Sequence, residues 1–173
     1  MKKNRFGGRW ATFFLAAGLF SAILISCKED EADRVGQRTV TDIIRENPEF
    51  SILKEIVDDA TKGDAFRTQN ATFFLPSNAA FNKAKIFSAS EITSKPDSII
   101  NIDVFLNQHV LNGQVSYGDL KPGKYDVVGK SLKLEIAKKD TSFTVNGAEI
   151  ARRNVNAANG IIQVLDSLYV KVK

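Results

Sequence analysis

The apolar residues of this 173-residue chain change their spacing near Gly113, and this change constrains the fold more than any other feature of the sequence. Before Gly113, apolar residues mostly recur at intervals of three and four, which is typical of amphipathic helices. The exception is a short apolar run at residues 71–75, which we interpret as a buried strand ended by Pro76. After Gly113, short alternating segments are separated by turns, of which Asn146-Gly147 is a strong hairpin signal. The sequence therefore predicts an α+β fold with a largely antiparallel sheet.

The same patterns place individual elements along the chain. Pro48 predicts a junction between two short helices, and the apolar residues from Ile99 to Val110 predict another helix. Alternation predicts strands at residues 115–117, 125–128, 132–136 and 143–145, with a further strand around Ile150. Two last strands are predicted at residues 161–165 and 168–172. The first of these is too apolar for an edge, so we expect it in the centre of the sheet.

The first 26 residues have the character of a secretory signal. Four basic residues are followed by an uncharged apolar run over residues 10–25, which is shorter than the roughly 20 residues that a membrane-spanning helix needs. The run ends in Leu24-Ile25-Ser26-Cys27, which resembles the bacterial lipobox, where the cysteine is acylated and becomes the new N-terminus. We predict a lipoprotein signal peptide at residues 1–26 and lipid attachment at Cys27, which would make the membrane a partner through the anchor. An uncleaved membrane anchor is the alternative. Since Cys27 is the sole cysteine, an intrachain disulfide is excluded.

The residues after Cys27 bear on where the protein is located in the cell. Lys28-Glu29-Asp30-Glu31 resembles the lysine-plus-acids signal that directs some Gram-negative lipoproteins to the outer face of the outer membrane. We therefore predict a lipid-anchored protein of the bacterial outer membrane that faces the cell exterior. The alternative is a solvated charged tether without a targeting role. Residues 27–37 are assigned as the lipidated N-terminus and linker, and residues 38–173 as the folded domain.

Charge argues against nucleic acid as a partner. The chain has 24 basic and 20 acidic residues, and the four basic residues of the leader account for the whole net charge of +4. A nucleic-acid-binding domain keeps a basic excess in its folded part, and this chain does not. The strand-rich half is nevertheless basic. Its lysines and arginines could contact an acidic polymer or lipid headgroups, or could simply be solvated charges that keep strand edges from pairing. They are Lys121, Lys124, Lys130, Lys133, Lys138, Lys139, Arg152 and Arg153.

The sequence lacks the signatures of an enzyme or a metalloprotein. His109 is the only histidine, and no Gly-x-Ser-x-Gly elbow accompanies it. One histidine without a spare cysteine cannot make an ordinary zinc ligand set, and neither a calcium loop nor a phosphate-binding glycine loop occurs. We expect no catalysis, cofactor or metal. Two carboxylates that meet in space to cleave a glycoside remain open at this stage.

Three blocks of sequence resemble the signatures of the fasciclin-like domain family. The first is Thr72-Phe73-Phe74-Leu75-Pro76-Ser77-Asn78-Ala79-Ala80-Phe81, the second is the His109-Val110-Leu111 block, and the third runs from Asn159-Gly160 to Asp166-Ser167-Leu168. The resemblance covers residues 39–172. It implies a wedge-shaped, largely antiparallel β-sandwich with a helical layer, and a non-catalytic role in adhesion and extracellular contacts. Gln108 and Gln163 stand where many members have Tyr and His, so no receptor specificity is carried over.

Turn and capping chemistry explains the residue types in these blocks without a ligand. Asparagine bonds nearby backbone, proline fixes φ, and glycine permits tight turns. We therefore interpret the matched residues mainly as determinants of the fold, and we expect His109 to be a buried or capping histidine. The matched residues are Thr72, Pro76, Ser77, Asn78, Phe81, His109, Asn159, Gly160 and Asp166.

Two functions compete at this stage. The first is a non-catalytic module that binds a protein or a surface polysaccharide in adhesion or envelope assembly. The second is a glycan-capturing accessory lipoprotein of an outer-membrane nutrient-uptake complex, with Tyr117, Tyr125 and Tyr169 as candidate sugar platforms. Ser98, in an Asp-Ser-Ile triplet, is a candidate site for O-glycosylation. The sequence leaves the oligomeric state open.

Overall fold

The computed structural model describes residues 37–60, 65–93, 101–129 and 132–169. The predicted signal peptide, Cys27, Lys130 and Ser98 lie outside these residues, as does nearly all of the predicted linker. The described residues belong to one compact unit that begins at Gln37.

The N-terminal part of this unit is helical. Helix α1 spans Val40–Glu46 and begins with a capping box, in which Thr39 and Asp42 each bond the other's backbone N–H. A 3₁₀ turn follows at Pro48–Phe50, and helix α2 spans Ser51–Asp59. Pro48 therefore marks the junction between the two helices, as predicted. A second 3₁₀ turn spans Ala65–Arg67.

The middle of the chain forms the predicted strand-helix unit and then returns to the sheet. Strand β1 spans Ala71–Pro76 and is buried throughout, and helix α3 spans Asn78–Lys83. Short helices α4 and α5 span Ser90–Thr93 and Ile102–Asn107, and strand β2 spans Val110–Asn112. The assignment of Val110 to a helix was wrong. This residue pairs with Phe73 in an antiparallel ladder and so belongs to the sheet.

Five further strands complete the sheet. Strand β3 spans Gly123–Asp126, β4 spans Lys133–Lys139, β5 spans Ser142–Val145, β6 spans Ala148–Ala157 and β7 spans Gly160–Leu165. The hairpin between β5 and β6 turns at Asn146-Gly147, both at positive φ, as predicted. The strand order is β2-β1-β7-β6-β5-β4-β3, so β7 is central, again as predicted. All pairs are antiparallel except β1 with β7.

The sheet curls until its two ends nearly meet. Leu111 of β2 forms an isolated antiparallel bridge with Val127, just after β3, and the Val128 N–H donates to the Val110 carbonyl at 2.9 Å. The expected sandwich is not confirmed. The described strands instead form one seven-stranded sheet that is nearly a barrel, with helices packed against it.

This curvature separates the apolar interior into two clusters. One fills the curled sheet and includes Phe74, Leu134 and Val145. The other lies between the helices and the outer face of β1 and β7, and it includes Phe73, Phe105 and Ile162. Adjacent residues of β1 face opposite clusters, which explains why that strand has no solvent-facing position.

Two predicted strands are wrong in the described residues. Residues 115–117 form no strand, because the N–H groups of Val115 and Tyr117 donate to the side chains of Thr72 and Asn154 instead of to a neighbouring strand. A 3₁₀ turn begins at Tyr117. Leu168 and Tyr169 likewise lie outside any strand, although both side chains are partly buried against the two clusters.

Candidate functional site: a polar cleft over Asn159

From the turn between β6 and β7, the Asn159 side chain bonds two distant parts of the chain, the start of α1 and residues 66–68. Its buried Oδ1 accepts from the Val40 N–H at 2.9 Å, at the start of α1. Its Nδ2 donates to the carbonyls of Phe66 at 2.7 Å and Thr68 at 3.0 Å. Both polar atoms of the amide are therefore hydrogen-bonded, and the side chain fixes α1 against the Ala65–Arg67 turn.

Gly160 follows because no larger residue fits. A Cβ atom built on it would lie 2.1 Å from the Ala71 carbonyl oxygen and 2.7 Å from a ring carbon of Phe73. Glycine thus permits the close approach of β7 to β1. Asn159 therefore crosslinks distant segments by hydrogen bonds, and Gly160 allows two strands to pack closely.

A polar cleft of about 350 Å³ opens above Asn159, between α1 and the 3₁₀ turn at Ala65–Arg67. This size falls within the range of small-molecule binding sites. Among the described residues that line it, none is apolar. They are Thr39, Thr41, Asp42, Arg45, Arg67, Gln69 and Asn159. We refer to this feature as the polar cleft.

The charged groups of the polar cleft carry both signs. The Thr39 hydroxyl and then its backbone N–H bond the Asp42 carboxylate and lower its pKa, with a smaller contribution from the nearby Arg45 guanidinium. Asp42 is therefore ionised at neutral pH. Arg45 donates from Nε and one terminal nitrogen to Oδ1 of Asp58 on α2, at 3.2 and 3.0 Å. Arg67 adds a second exposed guanidinium from the opposite wall.

The other signature residues lie elsewhere and make structural contacts. The buried Thr72 hydroxyl donates to the Gly113 carbonyl at 2.7 Å and accepts from the Val115 N–H at 2.8 Å. Ser77 caps α3 by accepting from the Ala80 N–H at 3.3 Å, and its hydroxyl also bonds the Leu165 carbonyl. These bonds connect β1 and its following turn to distant segments.

Asn78 and Phe81 attach helix α3 to the helical layer. The Asn78 Oδ1 accepts from the Ile52 N–H at 3.2 Å, and its Nδ2 donates to the Pro48 carbonyl at 2.9 Å. The Phe81 ring is fully buried, with its centroid 6.3 Å from that of Phe105. Pro76 ends β1 opposite Leu165.

Asp166 anchors the chain just after β7. One carboxylate oxygen accepts from Lys83 at 2.7 Å, and the other accepts from the Glu149 N–H at 3.0 Å and the Ser167 hydroxyl at 2.8 Å. Burial acts to raise the pKa of Asp166, but these bonds outweigh it and the net pKa is lowered. The contacts hold the C-terminal segment against α3 and β6.

His109 is fully buried between two aromatic rings. Its centroid lies 4.6 Å from that of Phe105 and 4.7 Å from that of Tyr169, and its Nδ1 bonds the Phe105 carbonyl at 2.6 Å. Its Nε2 has no hydrogen-bond partner within the described residues. Burial lowers the pKa of His109 to about 4, against the opposing effect of the Phe105 bond. The ring is therefore neutral at pH 7 and inaccessible to a ligand.

Two of the three candidate sugar platforms, Tyr117 and Tyr169, have ring faces that other side chains cover. Tyr169 is largely buried, its hydroxyl donates to the Gln108 carbonyl at 2.8 Å, and burial raises its pKa well above the usual value. The Tyr117 ring lies 3.8 Å below the guanidinium carbon of Arg153. The Tyr125 hydroxyl donates to the Lys121 carbonyl. Stacking of a sugar on Tyr169 or on the Arg153-covered face of Tyr117 would require rearrangement.

Ion pairs occupy several basic residues of the strand-rich half. Lys133 pairs with Asp126, Lys139 pairs with Glu149, and Arg152 pairs with Glu49 in the helical layer. Within the described ranges, no cluster of three or more His, Cys, Asp or Glu side chains could hold a metal ion. The same ranges contain no helix that is long and apolar enough to cross a membrane.

Sequence reasoning missed the walls of the polar cleft. Arg45, Arg67 and Gln69 belong to no recognised motif, and they meet only because Asn159 fixes two elements far apart in sequence. The one available local signal was the Thr39-x-x-Asp42 capping box, which marks the start of α1. It indicates a helix and not a cleft.

The chain is similar in sequence and in fold to proteins of one known family. The sequence model of the Fasciclin domain matches residues 48–171. A solved FAS1 domain pair from the insect cell adhesion molecule fasciclin I has a similar fold, with a TM-score of 0.59 and 17% identity. That match covers 78% of this chain and 51% of the solved chain, so this chain spans about half of the insect pair.

Several proteins are also similar in sequence. Protein sll1483 of Synechocystis is 26% identical over 152 residues, covering 86% of this chain and 79% of that protein. The immunogenic protein MPB70 of Mycobacterium bovis is 24% identical, covering 91% of this chain and 93% of that protein. The transforming growth factor-beta-induced protein ig-h3 of Sus scrofa is 26% identical over 134 residues, covering 75% of this chain and 19% of that protein.

Proposed function

Because the chain belongs to the fasciclin domain family, we propose that it is a non-catalytic binding module, held at the outside of a bacterial outer membrane by a lipid on Cys27. Its role would be adhesion or envelope assembly, through a protein or a surface polysaccharide. The similar fold of a cell adhesion molecule supports this role. The inaccessibility of His109 supports a non-catalytic function, since a histidine-dependent mechanism would need that ring exposed.

The polar cleft is the observation that carries the binding proposal. Asn159 joins its two walls through buried hydrogen bonds, so the surrounding backbone is fixed before a ligand arrives. The exposed Arg45 and Arg67 side chains are then presented on a rigid frame. A binding module needs such a preorganised surface, whereas a purely structural domain does not.

Partner capture tests this proposal directly. The full-length chain, solubilised in detergent, would be immobilised and incubated with envelope extract and, in parallel, with an array of glycans. We expect specific retention of an envelope protein or a glycan. Retention of neither would contradict the proposed function.

The second candidate, glycan capture for nutrient uptake, is favoured by the polar lining of the cleft. It is disfavoured by the covered face of Tyr117 and the burial of Tyr169. Capture of glycans without any protein partner would favour this candidate over an adhesion role.

The anchor needs a separate experiment. We expect a fatty-acid probe to label the native protein and not the Cys27→Ala variant, since no second cysteine is available for acylation. Persistent labelling of the variant would contradict the assignment.

Exposure at the cell surface is tested separately. Protease added to intact cells should cut the native protein. Protection on intact cells, with cleavage of the purified chain, would contradict exposure at the surface.

A further inference from the structure

We propose that protonation of His109 releases residues 167–169, the segment that follows β7, while the sheet stays folded. We call residues 167–169 the latch segment, and we call the domain closed when this segment covers His109 and open when it does not. Three features of the molecule support this acid-sensitive latch. They are an unsatisfied nitrogen of His109, the ring that covers the imidazole, and the small number of bonds that hold the latch segment.

The closed domain does not accommodate a second proton on His109. The ring is fully buried, its Nδ1 bonds the Phe105 carbonyl at 2.6 Å, and its Nε2 has no hydrogen-bond partner within the described residues. Because a carbonyl can only accept, the neutral ring carries its proton on Nδ1, and a second proton must bind Nε2. The new N–H would belong to a buried cation and would lack an acceptor, which is costly. Protonation therefore favours a state in which Nε2 reaches water.

No charged side chain offsets this cost. Strands β1 and β2, which adjoin His109, contain no titratable residue. Few titratable groups lie on the other elements around the ring: Asp103 on α5, Lys83 on α3, and Asp166 and Tyr169 after β7. Burial lowers the pKa of His109 to about 4, and only the bond to the Phe105 carbonyl opposes this effect. The cation is therefore stabilised only by leaving the buried environment.

The latch segment covers the His109 ring. The Tyr169 ring stacks on the imidazole, with the two centroids 4.7 Å apart and the two planes inclined by 29°. Phe105 also contacts the imidazole, with centroids 4.6 Å apart, but it lies only four residues before His109 and belongs to the same part of the chain. Tyr169 reaches the ring from a distant part of the sequence. It can therefore leave the ring without disturbing α5.

The latch segment is held mainly by side chains. Residues 167–169 belong to no helix or strand. The Tyr169 hydroxyl donates to the Gln108 carbonyl at 2.8 Å, Leu168 packs against the helical cluster, and the Ser167 hydroxyl bonds the neighbouring Asp166. The preceding strand, β7, is by contrast paired with both β1 and β6. Opening of the latch segment breaks fewer bonds than opening of the sheet, so it is the less costly way to hydrate His109.

Acid favours the open state. The pKa of His109 is about 4 in the closed domain and near 6.5 when the ring is exposed. The open state therefore binds the proton more tightly. The equilibrium constant for opening should rise by about tenfold for each pH unit below 6.5, until the pH approaches 4. At neutral pH the segment stays closed.

NMR spectroscopy tests the latch. The full-length chain in detergent micelles would be titrated from about pH 7 to about pH 3.5, the range in which a perturbed histidine changes its charge. The ring signals of His109, the only histidine, report its protonation. Amide signals of Leu168 and Tyr169 report the latch segment, and those of β1 and β7 report the sheet. We expect His109 and the latch segment to change with one midpoint, at a higher pH than the sheet unfolds.

His109→Gln tests whether the histidine causes the opening. Glutamine does not titrate in this range, so the signals of Leu168 and Tyr169 should lose the transition that the parent shows. Changes that arise from titrating carboxylates remain in this variant, which separates them from the effect of His109.

Tyr169→Phe tests whether the latch segment opposes protonation. It keeps an aromatic ring but loses the bond to the Gln108 carbonyl, so the closed state is weakened and the His109 midpoint should rise by about 0.5–1 pH unit. Tyr125→Phe is the matched control, because the Tyr125 hydroxyl also donates to a backbone carbonyl, that of Lys121, and does not contact His109. Its His109 midpoint should match that of the parent.

Four results would each overturn the latch. His109 could become protonated without a change in the latch segment, or the transition could persist in His109→Gln. The latch segment and the sheet could instead open at the same pH, or Tyr169→Phe could leave the His109 midpoint unchanged. If His109→Gln does not fold, the comparison of Tyr169→Phe with Tyr125→Phe still decides, because both variants retain His109.

Discussion

Replacement of Asn159 by alanine tests the crosslink that supports the polar cleft. The substitution removes three hydrogen bonds and strands the Val40 N–H and the carbonyls of Phe66 and Thr68. Each buried polar group left without a partner costs about 1–3 kcal/mol. The Thr68 bond is only partly buried, so water can replace it at a smaller cost. We expect a loss of about 3–5 kcal/mol in the free energy of unfolding.

Chemical denaturation and calorimetry can both measure this loss. A change of this size lowers the melting temperature by on the order of 10 °C in a domain of this length. Asn156→Ala is the matched control, because Asn156 lies nearby on β6, has an exposed side chain and makes no side-chain hydrogen bond within the described residues. It should change stability by no more than about 0.5 kcal/mol.

Asn159→Asp separates the hydrogen bonds from the shape of the side chain. Aspartate can still accept from the Val40 N–H, but its second oxygen would face the carbonyls of Phe66 and Thr68. We expect a loss at least as large as that of the alanine variant, because a buried charge then faces two acceptors. If Asn159→Ala cost less than about 1 kcal/mol, the reasoning would be refuted.

Two further predictions concern the centre of the fold. Gly160→Ala should lower the free energy of unfolding by about 3 kcal/mol or more, because the new Cβ would lie 2.1 Å from the Ala71 carbonyl oxygen. Gly118→Ala is the control in the same denaturation experiment, because its new Cβ would meet no atom closer than 3.9 Å. The buried His109 should make stability depend on pH, because its pKa is about 4 in the folded state and near 6.5 in the unfolded state. The unfolded state then binds the proton more tightly, so about 3 kcal/mol of stability present above pH 6.5 is lost as the pH falls to 4. Comparison with His109→Gln isolates this effect from that of the carboxylates, and equal pH dependence of the two proteins would contradict it.

Local rules explain why the sequence predicted some elements well. Pro76 and Ser77 mark the end of β1 and the start of α3 because one lacks a donor and the other caps a helix, and both effects act within a few residues. Asn146-Gly147 likewise specifies its own hairpin. The central position of β7 followed from its apolar composition, which an edge strand would expose.

The remaining features depend on distant partners. The alternation of Val115-Ser116-Tyr117 is typical of a strand, but Thr72 and Asn154, 43 and 37 residues away from their respective partners, take up its backbone donors. The polar cleft depends in the same way on the Asn159 bonds, which span 91 to 119 residues. Periodicity describes the face of one element and carries no information about which elements will meet.

The position of β7 has a consequence for synthesis of the chain. Among the described strands this one is the last in sequence, yet it lies inside the sheet, between β1 and β6. The Ser77 hydroxyl that caps α3 also bonds the Leu165 carbonyl, 88 residues further along. A nascent chain that has not yet delivered β7 therefore lacks an interior strand of its sheet and not an edge strand. A truncation that removes β7 leaves β1 and β6 with no strand between them, so the sheet is divided and not merely narrowed.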